Sequence, residues 1–408
     1  MKVLGIIAEY NPFHNGHLYH LRESIKKTHA DYTICVMSGN FTQRGEPAMA
    51  DKWVRSQIAV ANGLDLVLEL PFAFACNNAE YFAKGAIDLL NRLGCVTHLS
   101  FGSESGDLEL LSEAALHLAE EGPVLQNYIK EFTSLGYSFP KARFEAVKKY
   151  CGEQCAQVIK DANNILAVEY LKQLKRTSSD ISPLTIRRFG PGYHDKSTFE
   201  NIASASAIRE NLKNGKTLNA SFDHIPPETL KILQSININS LISLEDFYTL
   251  IMYRILSENK FNLNKILTAT EGLENRVLAA AERSTDLDTL IKGIKSKRYT
   301  ITRIQRLLCH ILVNLTKADM NEMVEKNLNY ARILAFNKKG AQLIKIMKKR
   351  EYNQIPLLTN INKELPSDSN LWKLLEYDIL ASNIYNLVLS GEIYSRSDYI
   401  KAPYYHNH

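Results

Sequence analysis

Lys2-Val3-Leu4-Gly5-Ile6-Ile7-Ala8-Glu9-Tyr10-Asn11-Pro12-Phe13-His14-Asn15-Gly16-His17-Leu18 decides how this chain is read. Lys2 to Ala8 is a short, mostly apolar run of strand length, and a helix-length stretch over 17–28 follows it. The turn between them carries chemistry. Gly16 lets the backbone pass close to a ligand, and the N–H groups of a helix start are unsatisfied and favour an anion. His14 and His17 are three apart and face the same side of that first turn. Imidazoles over a phosphate can donate hydrogen bonds to the pentavalent transition state of phosphoryl transfer. A metal site is the alternative for two such histidines, but no acidic or cysteine ligand at matching spacing accompanies them.

Working outward, strand-length β-branched runs recur at 32–37, 64–70 and 96–101, with helix-length stretches at 51–62 and 78–93 between them. Strand, helix, strand at this spacing predicts right-handed βαβ units and a parallel sheet. The stretch 107–150 reads as helical, 159–175 as a further helix, 184–188 as a late strand and 204–212 as a short helix. Beyond residue 215 the texture changes. Pro226-Pro227 marks a break, and helical periodicity then dominates. Neither GxGxxG nor GxxxxGK[ST] occurs. The expected fold class is α/β: a Rossmann-like parallel-sheet domain over 1–215, then a mostly helical, basic domain over 216–408.

The chain has 408 residues, 45% hydrophobic and 23% charged, which excludes a mainly disordered protein and fits two domains. No window approaches the apolar length of a membrane span, and the N-terminal apolar run is too short for a signal peptide. These features point to a cytoplasmic protein with no membrane partner. Six scattered cysteines, with Cys151 and Cys155 the one close pair, form no zinc framework, so no metal ligands are assigned. The net charge of +5 is unevenly spread: residues 216–408 hold 26 Lys/Arg against 20 Asp/Glu, and residues 1–215 carry one acid in excess. Acid-free runs hold Lys292, Lys295, Lys297, Arg298, Arg303, Arg306 and Lys317, and then Lys326, Arg332, Lys338, Lys339, Lys345, Lys348, Lys349 and Arg350. With Tyr299, Tyr330 and His310 interleaved, such runs suit a phosphate backbone as well as a solvated helix face.

His14-Asn15-Gly16-His17 resembles the HxGH signature of the nucleotidyltransferase superfamily. Ile202-Ala203-Ser204-Ala205-Ser206-Ala207-Ile208-Arg209 resembles its second signature, ISSTxIR, with Ala205 replacing one serine. Small hydroxyls and free N–H groups at a helix start, with a guanidinium behind them, suit a triphosphate. The match narrows. Glu9 to His17, Ser38-Gly39-Asn40-Phe41-Thr42-Gln43-Arg44-Gly45-Glu46-Pro47-Ala48, Glu69-Leu70-Pro71 and Phe101-Gly102-Ser103-Glu104 are similar to the bacterial tRNA(Met) cytidine acetate ligase family. So are Asn163-Asn164-Ile165-Leu166, Arg187-Arg188 and Lys297-Arg298-Tyr299-Thr300 with Arg303, Gln305 and Arg306, giving a resemblance that runs to about residue 335.

The resemblance implies an ATP-dependent ligase. It would activate acetate as acetyl-adenylate, releasing pyrophosphate, and acetylate the exocyclic amine of the wobble cytidine in elongator tRNA(Met). His14 and His17 would be catalytic, stabilising charge on the α-phosphate. ATP would lie against Ile7, Ala8, Glu9, Tyr10, Asn11, Pro12, Phe13, His14, Asn15, Gly16, His17, Leu18, Tyr19 and His20. Gly102, Asn163, Asn164, Arg187, Arg188, Ser204, Ser206 and Arg209 would complete that site, with Mg2+ accompanying the nucleotide. Lys295, Lys297, Arg298, Arg303, Arg306, Lys338 and Lys339 are the expected tRNA contacts. The loop 39–45, followed by Lys52 and Arg55, reads either as a phosphate or cytidine loop or as a surface loop with two solvated cations. Phe72, Phe74 and Tyr81 read as core. No residue is read as the proton acceptor for the cytidine amine. A small-molecule adenylyltransferase, or an acyl-adenylate-forming ligase acting on a metabolite, is the alternative enzyme. A catalytically silent RNA-binding protein is a third reading, opposed by the presence of both histidines and Arg209.

Overall fold

The computed structural model describes residues 1–119, 122–188, 203–214, 223–236, 242–258, 260–349, 353–364, 369–390 and 397–407. Its centre is an eight-stranded sheet: β1 Val3–Ala8, β2 Tyr32–Ser38, β3 Leu66–Leu70, β4 His98–Ser103, β5 Ser182–Arg187, β6 Ala331–Asn337, β7 Leu357–Leu358 and β8 Tyr404–His406. The order is β5-β4-β1-β2-β3-β6-β7, with β8 also paired to β6. The first five strands are mutually parallel, and β6 joins β3 antiparallel. Because β4 and β2 flank β1 on opposite sides, the strand order reverses there, and the crevice at the carboxyl ends lies at β1.

Each central strand is buried on both faces, and its alternating side chains feed two separate cores. On β2, Ile34 and Val36 enter one cluster while Cys35 and Met37 enter the other. The second cluster is closed by the helices Asn15–Thr28 and Lys52–Ala61, through Leu18, Leu21, Trp53 and Ile58. The first, larger cluster is covered by the helix Ala79–Arg92 and by helices from the C-terminal half, through Phe247, Leu307, Leu308 and Leu375. Asp51 caps its helix by accepting the Val54 N–H at 2.8 Å, and Asn78 caps the next by accepting that of Tyr81 at 3.0 Å.

The five expected strands and the helices between them form within two residues or so of their predicted bounds, and 107–150 is three helices. The sheet, however, crosses the composition boundary at 215/216, which itself lies outside the described residues. β6, β7 and β8 come from the segment expected to be mostly helical. They complete the edge of β3 because Ala331–Asn337 is buried on both sides and Asn337 N–H donates to the Asp65 carbonyl at 3.0 Å. One sheet therefore serves both halves, and each of its two cores draws residues from both. Ile202, the first residue of the second signature, also falls outside the described residues.

Candidate active site at the carboxyl edge of the sheet

The chain leaves β1 at Glu9, turns through Tyr10 at φ 49° and the cis Asn11–Pro12 bond, and enters the helix Asn15–Thr28 with His14 as N-cap. Tyr10, Asn11, Phe13 and Leu18 turn their side chains inward. Asn11 Oδ1 accepts the Met49 N–H at 2.8 Å, and Phe13 packs 4.6 Å from the Tyr10 ring. What this segment leaves toward the crevice is its backbone and the half-buried Asn15, Gly16 and His17, with His14 beside them. The Gly16 N–H donates to His14 Nδ1 at 3.0 Å, and the His14 N–H donates to His17 Nδ1 at 3.3 Å. With Nδ1 accepting in both rings, the proton of each neutral imidazole is assigned to Nε2. The two rings stack at 3.8 Å between centroids. Burial and the Arg188 guanidinium push His14 down to about 3 and His20 to about 4, and burial, His14 and Arg188 hold His17 well below its usual value. The histidines are thus neutral donors and weak bases.

Gly102 on β4 forms the opposite wall. A Cβ there would lie 3.1 Å from Arg188 Cγ, so the guanidinium arm lies directly across the glycine and toward the histidines. Arg187 points to the other side of the strand and packs on Gly106, where a Cβ would stand 2.6 Å from Arg187 Cβ. Of this pair, the structure brings Arg188 to the crevice. Asn163 and Asn164 build the turn after β4. Asn164 Oδ1 accepts the N–H groups of Glu104 and Ser105 at 2.9 and 3.2 Å, and Glu104 accepts Asn163 Nδ2 at 2.5 Å and the Asn164 N–H at 2.9 Å. Arg209 reaches across to the turn: its Nη1 donates to the Asn11 carbonyl at 2.6 Å, and its Nη2 stands 3.5 Å from Glu46 Oε2. Ser204 caps the helix Ala205–Lys213 by accepting the Ala207 N–H at 3.1 Å, and Ser206 is exposed on its first turn.

The loop 39–47 closes the third side. Glu9 Oε1 accepts the Gln43 N–H at 2.7 Å. Arg55 is buried beneath and donates to the carbonyls of Ala50 at 2.9 Å, Glu9 at 2.6 Å, and Gly39. Lys52, fully buried, pairs with Glu69 at 2.7 Å and with Asp398 at 2.8 Å. The reading of these two cations as solvated is therefore corrected: they are the loop's internal struts. Sequence pattern missed this because Lys52's partners lie on β3 and near the chain's end, and Arg55's are backbone carbonyls of the turn after β1 and of the loop. Phe72 and Phe74 are core and Tyr81 is half-buried.

The expected tRNA contacts separate in space. Lys295, Lys297 and Arg298 are exposed just before the helix Ile301–Val313, whose Arg306 donates to the Gln43 carbonyl at 3.1 Å. Arg306 is spent on the loop 39–47, and Arg303 donates to Thr270 Oγ1 at 2.7 Å and stacks on Tyr299 at 5.0 Å. Lys338 and Lys339 are exposed at the far end of the sheet: Lys339 Nζ reaches the carbonyl of Asp31, just before β2, at 3.3 Å. Strands of this length put that edge roughly 20 Å from the crevice. Tyr299, Tyr330 and His310, read as interleaved with the basic runs, are buried, and the Tyr299 face is taken by Arg303, so they are not exposed to stack on bases.

Paired donor histidines at a helix start, beside a strand-order reversal, define a nucleotidyltransferase site. A family model described as HIGH Nucleotidyl Transferase matches residues 1–399, and the chain belongs to that family. It is 41% identical over 421 residues to a protein of Alkaliphilus metalliredigens named tRNA(Met) cytidine acetate ligase, covering 99% of each chain. A Clostridium perfringens protein of the same name is 41% identical over 412 residues, also with 99% of each covered. Among solved structures, Thermotoga maritima TmcAL bound with alpha-thio ATP superposes with a TM-score of 0.90 at 34% identity, covering 100% of both chains.

Proposed function

We propose that this chain is an ATP-dependent tRNA(Met) cytidine acetate ligase. The observation that carries the reading is the stacked His14–His17 pair, each ring accepting a hydrogen bond at Nδ1, in a chain 41% identical over 99% of its length to proteins of that name. In the activation step an acetate oxygen attacks the α-phosphorus of ATP, and the bond to the pyrophosphate oxygen breaks. The Nε2–H groups of His14 and His17 donate to the equatorial oxygens as charge builds there, and Arg188 adds a cation over Gly102. Arg209 and Ser206 would hold the outer phosphates, and Asn163 and Asn164 would shape the nucleoside side through the turn after β4. In the transfer step the exocyclic amine of the wobble cytidine attacks the acetyl carbonyl and AMP leaves.

Mg2+ is expected with the nucleotide. Among the described residues no three His, Cys, Asp or Glu side chains gather into a metal cage, so the ion would be held mainly by the phosphates. No described helix is long and apolar enough to cross a membrane. Lys295, Lys297 and Arg298, beside the crevice, are the basic residues best placed to meet an anticodon stem-loop, whose unpaired cytidine can be splayed into a site.

Labelled acetate, ATP, magnesium and total bacterial tRNA test the reading. Label should enter tRNA(Met) and be lost in His14→Ala/His17→Ala. ATP consumption without labelled tRNA would overturn it in favour of a small-molecule adenylyltransferase.

A further inference from the structure

The transfer step leaves a proton to be placed, and the crevice holds few groups able to take it. The amine of cytidine is barely basic. Once its nitrogen has attacked the acetyl carbon, that nitrogen becomes strongly acidic, so a carboxylate is base enough. Arg188 and Arg209 are cations, and the three histidines are held neutral with little affinity for a proton. Glu104 spends both oxygens on Asn163 and Asn164, and Glu46 accepts Gln305 Nε2 at 3.2 Å and faces Arg209 at 3.5 Å. Among the described residues that line the crevice, the Glu9 carboxylate remains.

Glu9 is the first residue beyond β1, at the strand-order reversal and between the histidine turn and the loop 39–47. Both ends of the residue are fixed. Its carbonyl accepts Arg55 Nη1 at 2.6 Å, and its Oε1 accepts the Gln43 N–H at 2.7 Å. No hydrogen bond joins Oε2 to another described residue. We propose that the Glu9 carboxylate is a catalytic residue that accepts the proton of the cytidine exocyclic amine during acetyl transfer. This rests on the ligase reading above.

The step balances. The N4–C bond to the acetyl carbon forms, the C–O bond to the adenylate phosphate breaks, its electron pair leaves with AMP, and the N4 proton passes to Oε2. The same carboxylate favours cytosine, which presents N–H there, and repels uracil, which presents a carbonyl oxygen. Burial raises the Glu9 carboxyl above its ordinary value, while the Gln43 N–H, Arg55 from the helix Lys52–Ala61, Arg209 from the helix Ala205–Lys213 and Arg44 from the loop pull it back. The buried Tyr170 phenol, from the helix Ala162–Arg176, also feels this carboxylate. The balance leaves a carboxylate that is more basic than usual.

Glu9→Gln keeps an acceptor for the Gln43 N–H and removes the base. Single-turnover acetylation of tRNA(Met) transcript, by enzyme preloaded with ATP and acetate, is followed from pH 5 to 8 beside acetate-dependent pyrophosphate exchange. The wild-type transfer rate should fall with protonation of one carboxyl at the acid end. E9Q should lose that limb and transfer about 100-fold or more slowly, as expected for a lost general base, with a much smaller loss of exchange. Glu9→Asp should fall between and keep the limb. Transfer by E9Q within threefold of wild type, an unchanged acid limb, or equal loss of exchange and transfer would overturn the proposal. Absence of tRNA product from the wild-type enzyme would instead overturn the ligase reading, and this step with it.

Discussion

Lys52→Met tests whether the chain is one cooperative unit or two. Lys52 Nζ lies 2.7 and 2.8 Å from the two oxygens of Glu69 and 2.8 Å from Asp398 Oδ1, with no solvent exposure. Arg332 is the only other cation in this buried group among the described residues. It stands 3.1 Å from Asp398 Oδ1 and 3.9 Å from Glu69 Oε2. Removing the lysine leaves Glu69 facing only the longer of those two contacts, and methionine fills the volume without supplying charge. Breaking a buried pair by deleting one partner costs about 3–5 kcal/mol, a large part of a domain's total of roughly 5–15 kcal/mol. Trp53 lies under both cations, with Lys52 Nζ 5.8 Å and the Arg332 guanidinium 5.3 Å from its ring, so its fluorescence reports on the site. Urea unfolding of K52M should show one transition at a lower midpoint and an unchanged slope. Lys26→Met, on an exposed lysine, should move it by no more than about 0.5 kcal/mol. Deleting 397–408 removes Asp398 and β8, and should destabilise the same single transition. Two separate transitions, or a K52M loss no larger than that of K26M, would refute the shared core.

Gly45 sits at φ 77°, and a Cβ there would stand 2.3 Å from the Arg306 nitrogen, so Gly45→Ala must lift the loop off its helix. The left-handed backbone and the overlap together should cost about 2–5 kcal/mol, measured by urea unfolding, and transfer to tRNA should fall with the loop's displacement. The histidines set an acid limit. His14, His17 and His20 have native values below the usual 6.5, so the unfolded chain binds more protons below that pH. Stability is therefore full above about pH 6.5 and lost as pH falls through that value toward 3–4, by up to about 1.4 kcal/mol per pH unit for each histidine. Urea midpoints between pH 8 and 5 check this, and His20→Gln should flatten the slope. Asp378 works in the opposite direction. Burial and Glu69 raise it to about 7, so its contribution weakens as pH rises from about 4 to 7, and Asp378→Asn should remove that part. For RNA, Lys297→Glu/Arg298→Glu should weaken tRNA affinity and reduce its salt dependence more than Lys338→Glu/Lys339→Glu, read from filter binding at several salt concentrations. Equal effects would contradict the separation of the two patches.

Local pattern exposed the parallel part of the fold because β1 to β3 are apolar on both faces and a helix-length stretch follows each. His14, Gly16 and His17 were legible for a related reason, since a helix start supplies its own capping geometry within four residues. β6 was not, because Ala331-Arg332-Ile333-Leu334-Ala335-Phe336-Asn337 is bounded by helical periodicity and pairs with a strand 265 to 270 positions earlier. β7 and β8 are too short to announce themselves. The roles of Lys52 and Arg55 were hidden in the same way: a cation on an amphipathic helix looks solvated until its partners are known, and Lys52 pairs with the distant Glu69 and Asp398 while Arg55 bonds backbone carbonyls that no side-chain pattern marks.

Sequence alone thus determined the α/β class, the turn that carries the paired histidines, and the family. Those depend on residue type and on spacings of a few positions, which fix local backbone geometry. Tertiary structure decided which of two adjacent arginines enters the crevice, that Arg306 braces a loop, that Lys338 and Lys339 lie at the opposite edge, and that Glu9 sits between the histidine turn and the loop 39–47. Each of these is a matter of distance across the sheet, set by chain segments hundreds of residues apart, and no local pattern encodes it.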